Sequence, residues 1–206
     1  MLKIGLTGGI GSGKTTIAEM FSARGAKVLN ADVMVHELIK CRNDIKEQIL
    51  TLYGTDILDC NDGSIDRGKL AKKCFGGKQD LEPLLSIVYP ELRKEVCSTM
   101  KSFSAQGAKI FVFDAPVLLE AGFESLFDGV VLVSASHDIK IKRLLDKDFA
   151  VEQIKARIHF QWPDWVKARY ADFIIDNSGS LKKTKEKFNK IFTAMSLRSS
   201  ASNRQG

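Results

Sequence analysis

A glycine-rich segment near the start of the chain has the residue types and spacing of a phosphate-binding loop. Residues 8–15 read Gly-Gly-Ile-Gly-Ser-Gly-Lys-Thr and fit the pattern G-x-x-x-x-G-K-[ST]. Glycines leave no β-carbon between the backbone N–H groups and a phosphate, and a helix that begins near Lys14 adds its N-terminal dipole. The segment therefore predicts a P-loop that binds a nucleoside triphosphate.

The polar residues of this motif have distinct expected roles. We expect Lys14 to bridge the β- and γ-phosphates, where it also serves catalysis, and the Thr15 hydroxyl to bind the Mg²⁺ that accompanies a nucleoside triphosphate. The residues predicted to hold the nucleotide in this loop are Gly11, Ser12, Gly13, Lys14, Thr15 and Thr16.

Two aspartates follow predicted strands, at the edge of a parallel sheet where ligands bind. Asp32 comes after residues 27–30 and is our candidate for a catalytic base that accepts a proton from an acceptor hydroxyl; the alternative for this residue is a helix N-cap. Asp114 comes after residues 110–113 and is our candidate for holding a magnesium-bound water, with a turn residue before a proline as its alternative.

The charged segment at residues 137–169 predicts a lid that brings cations to the transferring phosphoryl group. Arg143 and Arg157 are the candidates, and helical spacing does not decide which of them points inward. Acidic residues are mixed with the basic ones in this segment, so it does not form the basic stripe that nucleic-acid binding requires.

Apolar segments of strand length recur along the chain and alternate with helical periodicity, which predicts a parallel sheet flanked by helices. The five expected strands are residues 4–7, 27–30, 110–113, 130–133 and 173–175. We predict an α/β fold of the P-loop NTPase type, with core segments at about 1–32, 108–136 and 170–195.

Long connections between the strands predict added helical parts. We expect residues 33–107 to form a helical insertion, in which Ile45, Ile49, Leu52 and Tyr53 share one helix face. Within it, one helix should start around residues 65–67, and Tyr89-Pro90 should open another. Residues 196–206 are serine-rich, with few apolar side chains, and are predicted to be disordered.

Composition narrows the expected setting of the protein. The formal net charge is +6 and the pI is about 9.1, which suits an anionic small molecule or a nucleic acid. No apolar segment approaches membrane-spanning length. The four cysteines are far apart, without a zinc pattern. We expect a cytoplasmic protein that binds neither membranes nor nucleic acids, and a monomer, with an oligomer as the alternative.

Several segments together resemble the dephospho-CoA kinase family over roughly residues 1–180. The phosphate loop with its preceding strand is one of them, and Asn30-Ala31-Asp32 is similar to the family's Asp-Ala-Asp, whose last residue is regarded as the base. Residues 115–120, Ala-Pro-Val-Leu-Leu-Glu, are similar to the family's Pro-Leu-Leu-x-Glu. Other segments that extend the match are Arg143, Arg157-Ile158 with Gln161, Ala171-Asp172 and residues 175–179.

The resemblance implies transfer of the γ-phosphoryl group of ATP to the ribose 3′-hydroxyl of 3′-dephospho-CoA, with Mg²⁺ as the metal. It implies that Asn177 lies where the adenine of ATP is held, and that Arg143 binds ATP and serves catalysis. It also implies that the helical insertion at residues 33–107 is the substrate-binding part, which holds the acceptor. The residues that it implies for the acceptor are Asp32, Arg67, Tyr89, Pro116, Leu118 and Arg157.

The chain departs from the family at three positions. Asn30 replaces an Asp, and Tyr89 precedes Pro90 where the family usually has His-Pro. Lys147 replaces a lid Arg, and a lysine cannot make the two-pronged phosphate contact of an arginine.

Three other functions remain as alternatives at this level. The first is another P-loop small-molecule kinase, acting on a nucleoside monophosphate, gluconate or shikimate. The second is a regulatory GTPase, against which residues 176–179 lack an Asn-Lys-x-Asp motif. The third is an ATPase that binds nucleic acid, suggested only by the basic pI.

Overall fold

A computed structural model describes residues 1–76, 81–146 and 160–202. Five strands form one parallel sheet in the order β2-β3-β1-β4-β5. Their bounds are β1 Leu2–Thr7, β2 Lys27–Asn30, β3 Ile110–Asp114, β4 Gly129–Ser134 and β5 Phe173–Asp176. The fold class predicted from the alternating apolar segments is therefore confirmed.

Helices join and flank these strands. They are α1 Lys14–Ser22, α2 Ala31–Cys41, α3 Asn43–Tyr53, α4 Arg67–Gly76, α5 Glu82–Ala105, α6 His137–Leu145, α7 Asp164–Lys167 and α8 Leu181–Ser202. Short 3₁₀ helices lie at Thr55–Ile57 and Glu124–Leu126. None of the helices in the described ranges is long and apolar enough to span a membrane.

The register of the central strands places the phosphate loop beside Asp114. Leu6 of β1 pairs with Asp114 of β3, and Thr7 pairs with Leu132 of β4. Because the strands run in parallel, their carboxyl ends lie at one edge of the sheet. The loop after β1 and the end of β3 are thereby neighbours.

The two faces of β1 carry different packing. Ile4 and Leu6 point to a core that includes Phe21 of α1 and Phe188 of α8, whose rings meet edge to face at 4.9 Å between centroids. On the opposite face, a β-carbon at Gly5 would lie 2.8 Å from Leu118 Cδ1, so the glycine makes room for Leu118. Buried aliphatic and aromatic side chains thus hold the strand that leads into the phosphate loop.

The chain divides into two compact units, 1–29 with 102–206 and 30–101. The second unit is helical and has its own core, to which Ile45, Ile49 and Tyr53 of α3 contribute. The sequence prediction puts Leu52 on the same face, but this side chain is 43% exposed, because only positions 45, 49 and 53 follow the i, i+4 spacing that faces this core.

Two helix boundaries differ from the sequence prediction. Tyr89-Pro90 does not open a helix, since Pro90 lies inside α5, and the proline of the first turn is Pro83. A proline in the first turn loses no intrahelical hydrogen bond, and Pro83 therefore suits the helix start. The long α5 continues through Pro90 because Val88 and Leu92 on either side of it are buried.

The C-terminal segment also differs from expectation. Helix α8 runs to Ser202, so residues 196–202 are helical where the composition predicts disorder. No glycine or proline interrupts the segment before Gly206, and a helix propagates more easily than it starts.

Candidate active site

The phosphate loop joins β1 to α1 as its sequence predicted. Helix α1 begins at Lys14, and two backbone hydrogen bonds fold the loop, from Ser12 N to Gly9 O at 3.1 Å and from Thr16 N to Gly13 O at 3.1 Å. The Ser12 hydroxyl is buried without a hydrogen-bond partner within the described residues. A buried hydroxyl in this loop is available to a bound phosphate oxygen.

Position 13 needs a glycine for two reasons, which are its backbone conformation and the close approach of a neighbouring side chain. Its φ is 86°, and a β-carbon there would lie 2.1 Å from Asn177 Nδ2. Asn177 is 6% exposed; it donates from Nδ2 to Ser12 O at 2.8 Å, and its Oδ1 accepts from the Thr184 hydroxyl at 2.7 Å. The side chain of Asn177 therefore ties the end of β5 to the phosphate loop.

Arg143 of α6 contacts the same loop. Its guanidinium donates to the carbonyls of Gly11 at 3.3 Å, Ser12 at 3.1 Å and Asn177 at 2.8 Å. A guanidinium carries five N–H donors in a rigid planar fork, which suits it to hold several carbonyls in a fixed arrangement. The structure thus brings Arg143 to the phosphate loop, as expected, through contacts that also hold the loop's shape.

Lys14 forms an ion pair with Asp114 at the end of β3. The two side chains are 14% and 5% exposed, so little water screens the pair. The motif lysine and the acidic residue that the sequence assigned to the metal therefore lie in direct contact. A bound triphosphate would offer Lys14 negatively charged oxygens in place of Asp114. Its cation would offer Asp114 a positive charge in place of Lys14.

Thr15 and Asp114 suit Mg²⁺ by their chemistry. Mg²⁺ prefers hard oxygen ligands and keeps several waters, so one hydroxyl and one carboxylate are a sufficient protein contribution. Thr15 is the second residue of α1 and is exposed, and Asp114 is buried at 3% exposure at the sheet edge. The residues present fit the cation in donor type.

Asp32 lies in the first turn of α2 and is exposed. It does not cap this helix, because the N-cap is Asn30, whose Oδ1 accepts the N–H of Val33 at 3.1 Å. Asn and Asp cap equally well, which explains why Asn30 can stand where the family has an aspartate. The carboxylate of Asp32 is thus left for another role.

The other residues predicted to bind the acceptor differ in how deeply they are buried. Arg67 is exposed at the first residue of α4, and Tyr89 is half-buried within α5. Leu118 is 1% exposed and packs over Gly5, which makes its side chain part of the core, so we do not retain it as an acceptor contact. The predicted Arg157 lies outside the described residues, as does Lys147.

Pro116, another predicted acceptor residue, contributes its carbonyl to the site. This oxygen accepts hydrogen bonds from the Thr7 hydroxyl at 3.2 Å and from Lys167 Nζ. Pro116 therefore links the end of β1 to α7.

Sequence reasoning missed a polar cluster beside the phosphate loop. Lys167 Nζ lies 2.9 Å from Glu120 Oε1, and Lys140 Nζ lies 2.6 Å from Asp164 Oδ2. Gln161 Oε1 accepts the N–H of Ile10 at 2.8 Å. Glu120 and Gln161 belong to the segments that resemble the family, but the lysines look like ordinary surface charges in the sequence.

The Lys167 ammonium is held in an unusual environment. Its side chain is 0% exposed, and burial lowers its pKa below the ordinary value, while the neighbouring Glu120 carboxylate opposes that shift. A buried cation survives only when it is paired and hydrogen-bonded, and Glu120 and the Pro116 carbonyl meet that need.

Comparison with known proteins agrees with the geometry. A family model described as dephospho-CoA kinase matches residues 2–183. The chain belongs to the dephospho-CoA kinase family. Family membership makes the protein a kinase, which is a phosphotransferase enzyme.

Relatives that carry the family name cover nearly the whole chain. The dephospho-CoA kinase of Geobacillus kaustophilus is 36% identical over 89% of this chain and 92% of its own length. That of Aquifex aeolicus is 35% identical over 93% of this chain and 96% of its own. Among solved structures, protein TT1252 of Thermus thermophilus is 29% identical, with a TM-score of 0.77 over 94% of this chain and 96% of that one.

These matches decide between the kinases considered from the sequence. Family model and relatives both bear the name dephospho-CoA kinase, so a nucleoside monophosphate, gluconate or shikimate kinase is not favoured. A small-molecule substrate and ATP as phosphoryl donor are consistent with this family.

Proposed function

We propose that the chain transfers the γ-phosphoryl group of ATP to the ribose 3′-hydroxyl of 3′-dephospho-CoA, giving coenzyme A and ADP. The observation that carries this proposal is the pairing of Lys14 with Asp114 beside a complete phosphate loop, in a chain of this family. The basic net charge of +6 favours an acceptor that carries a diphosphate.

Lys14 acts on the phosphoryl donor. When ATP enters, the ammonium exchanges Asp114 for the β- and γ-phosphate oxygens and follows the negative charge that shifts during transfer. The loop N–H groups and the start of α1 hold the β-phosphate in place. Lys14 therefore contributes both to ATP binding and to turnover.

Thr15 and Asp114 are the proposed protein contacts to Mg²⁺. When bound with ATP, the cation neutralises phosphate charge and orients the transferring group. The Thr15 hydroxyl would contribute one oxygen, and Asp114 would hold a water of the cation.

Asp32 is the proposed base. A carboxylate beside the acceptor hydroxyl orients its oxygen for in-line attack and takes its proton as the new O–P bond forms. Its place in the first turn of α2 is fixed by the cap at Asn30. General-base catalysis of this kind contributes roughly 10²–10⁴-fold to the rate.

Arg143 and Asn177 complete the nucleotide site. Arg143 is proposed to stabilise the charge of the transferring phosphoryl group while it holds the loop. Asn177 is proposed to contact the adenine of ATP through its backbone. For the acceptor, Arg67, Tyr89, Pro116 and Arg157 remain proposed contacts, in which the arginines would meet the diphosphate.

The setting of the enzyme is also a proposal. The four cysteines are free thiols, which suits the reducing cytoplasm. We further propose a monomer that binds neither nucleic acid nor membrane; sedimentation at micromolar concentration would test the oligomeric state.

Product analysis tests the position of transfer. Phosphorus NMR of the product from Mg-ATP and 3′-dephospho-CoA should show a new ribose 3′-phosphate and one equivalent of ADP. A product phosphorylated at the 2′-hydroxyl would contradict the proposed geometry.

The proposed base can be tested separately. Asp32→Asn should bind ATP as the wild type does and lose about 10²–10⁴-fold in turnover, because only the proton acceptor is removed. Asn30→Asp is the matched control, since it keeps the helix cap and restores the residue that the family has at this position. Full turnover in Asp32→Asn would contradict the assignment of the base.

A further inference from the structure

A buried ion pair lies beside the phosphate loop, and the roles proposed above do not use it. Lys167 is in α7, a helix of only four residues, yet its side chain is 0% exposed. Lysines are almost never fully buried unless they are paired. Its partners are Glu120 Oε1 at 2.9 Å and the carbonyl of Pro116.

Glu120 fixes the segment that precedes α7 as well. The same oxygen, Oε1, accepts the backbone N–H of Trp162 at 2.8 Å. The residue before Trp162 is Gln161, whose Oε1 accepts the N–H of Ile10 in the phosphate loop at 2.8 Å. One carboxylate thus holds the segment that presents Gln161 to the loop.

The polar cluster also lies against the phosphate loop at two other points. Lys140 of α6 pairs with Asp164 at 2.6 Å, and a β-carbon at Gly9 would lie 3.2 Å from Lys140 Nζ. The carbonyl that Lys167 contacts also accepts the hydroxyl of Thr7, the last residue before the loop, at 3.2 Å. The buried pair is therefore connected to both the start and the apex of the loop.

A purely structural role and a positioning role predict different behaviour. A buried pair that only stabilises the fold can often be replaced by apolar side chains of similar size without loss. A pair that positions Gln161 cannot, because the apolar replacements no longer hold the N–H of Trp162 or the carbonyl of Pro116.

We propose that Glu120 and Lys167 are positioning residues, which hold Gln161 against Ile10 and so keep the phosphate loop in the shape that receives ATP. Gln161 keeps the apex of the loop ordered before the nucleotide arrives. Without it, part of the binding free energy of ATP is spent on ordering the loop. The inference rests on the proposed binding of ATP at this loop.

The test compares ATP affinity in three variants. Gln161→Met keeps the size of the side chain and removes its acceptor, while Glu120→Leu/Lys167→Met removes both charges together and leaves neither unpaired. The third variant combines all three substitutions. Lys3→Met is the control, since Lys3 forms an exposed pair with Asp128 at 3.5 Å.

Tryptophan emission supplies the binding signal. The chain has two tryptophans, and a Trp165→Phe background leaves Trp162, next to Gln161, as the reporter. We expect Mg-ATP to change its emission, Gln161→Met and the double variant each to weaken ATP binding about tenfold, and the triple variant to match the double. Shared loss of this kind shows that the three residues act through one path.

The outcomes separate this inference from the proposed function. If the wild type fails to bind ATP at all, the proposed function fails. If the wild type binds ATP and Gln161→Met binds it equally well, the positioning role is overturned, whether or not the double variant folds. Losses of ATP affinity that add fully in the triple variant would also overturn the positioning role. Thermal unfolding of each variant checks that folded proteins are being compared.

Discussion

The carboxamide of Asn177 occupies the space that a side chain at Gly13 would need. A β-carbon at Gly13 would lie 2.1 Å from Asn177 Nδ2, the nitrogen that donates to Ser12 O at 2.8 Å. The end of β5 and the phosphate loop are therefore fitted to one another, and the second glycine of the motif is required by a contact as well as by its φ of 86°.

This contact predicts the effect of Gly13→Ala. The methyl group would displace Asn177 and open the loop, so we expect ATP affinity to fall at least 100-fold, measured by calorimetry with Mg-ATP. Gly25→Ala is the matched control, because Gly25 has a φ of 82° and a β-carbon there would meet no heavy atom within 4 Å among the described residues. Gly25→Ala should lower the free energy of unfolding by only roughly 1–2 kcal/mol, the cost of a left-handed backbone at a residue with a β-carbon. Equal ATP affinity in the two variants would contradict the fitted contact.

Arg143→Ala should lower both ATP affinity and turnover. Three carbonyls, those of Gly11, Ser12 and Asn177, lose a charged donor, so we expect about a tenfold loss of ATP affinity. Turnover should fall further, by at least 100-fold, if the guanidinium also stabilises the transferring group. Direct ATP titration and kcat at saturating substrates measure the two effects, and equal losses would reduce Arg143 to a brace of the loop.

Asn30→Ala should destabilise the protein by about 1 kcal/mol, because the N–H of Val33 loses its cap. In a chain of this size such a loss lowers the Tm by roughly 2–4 °C. Asn30→Asp should retain the wild-type Tm. A drop of the same size in both variants would show that the side-chain cap does not stabilise α2.

Acid should weaken the pair between Asp176 and Lys187. The Lys187 ammonium, at 2.8 Å, and the Ser178 hydroxyl lower the pKa of Asp176 from 3.8 to about 2. A lowered pKa means that the fold prefers the carboxylate, so the stabilisation is present above about pH 4 and is lost as the pH falls toward 2. Because both side chains are substantially exposed, it should stay below about 1 kcal/mol.

Urea unfolding of the wild type and Asp176→Asn at several pH values measures this loss. The difference in unfolding free energy should be constant near neutral pH and shrink below pH 4. A difference that grows in acid would contradict the lowered pKa.

Local patterns are enough to predict the sheet and the phosphate loop. All five strands lie where apolar runs place them, and the three central runs, those of β1, β3 and β4, are largely buried. Helix α1 begins at the motif lysine. The prediction at Pro90 is wrong, since a proline signals a helix start only when packing does not carry the helix through it. Composition alone gives the wrong prediction for residues 196–202, because it ignores the helix that precedes them, and residues 203–206 lie outside the described part of the chain.

The contacts of the site are harder to predict because they depend on residues that are distant in sequence. Nothing local distinguishes Lys167, which is fully buried, from Lys142 and Lys182, which are exposed. Asn177 is a candidate from the sequence, but its bond to Ser12 spans 165 positions and follows only from the sheet order. Leu118 lies in a segment that resembles the family, which makes it a candidate acceptor contact. Only the fold shows that its side chain packs on Gly5.

The most direct test of the proposed function is ADP release from Mg-ATP with 3′-dephospho-CoA, run beside AMP, CMP, gluconate, shikimate and no acceptor. We predict strong stimulation by 3′-dephospho-CoA alone, with coenzyme A as the product, and no stimulation in Lys14→Ala. Turnover with one of the other acceptors and none with 3′-dephospho-CoA would contradict the proposed substrate while leaving the phosphate loop and its ATP site in place.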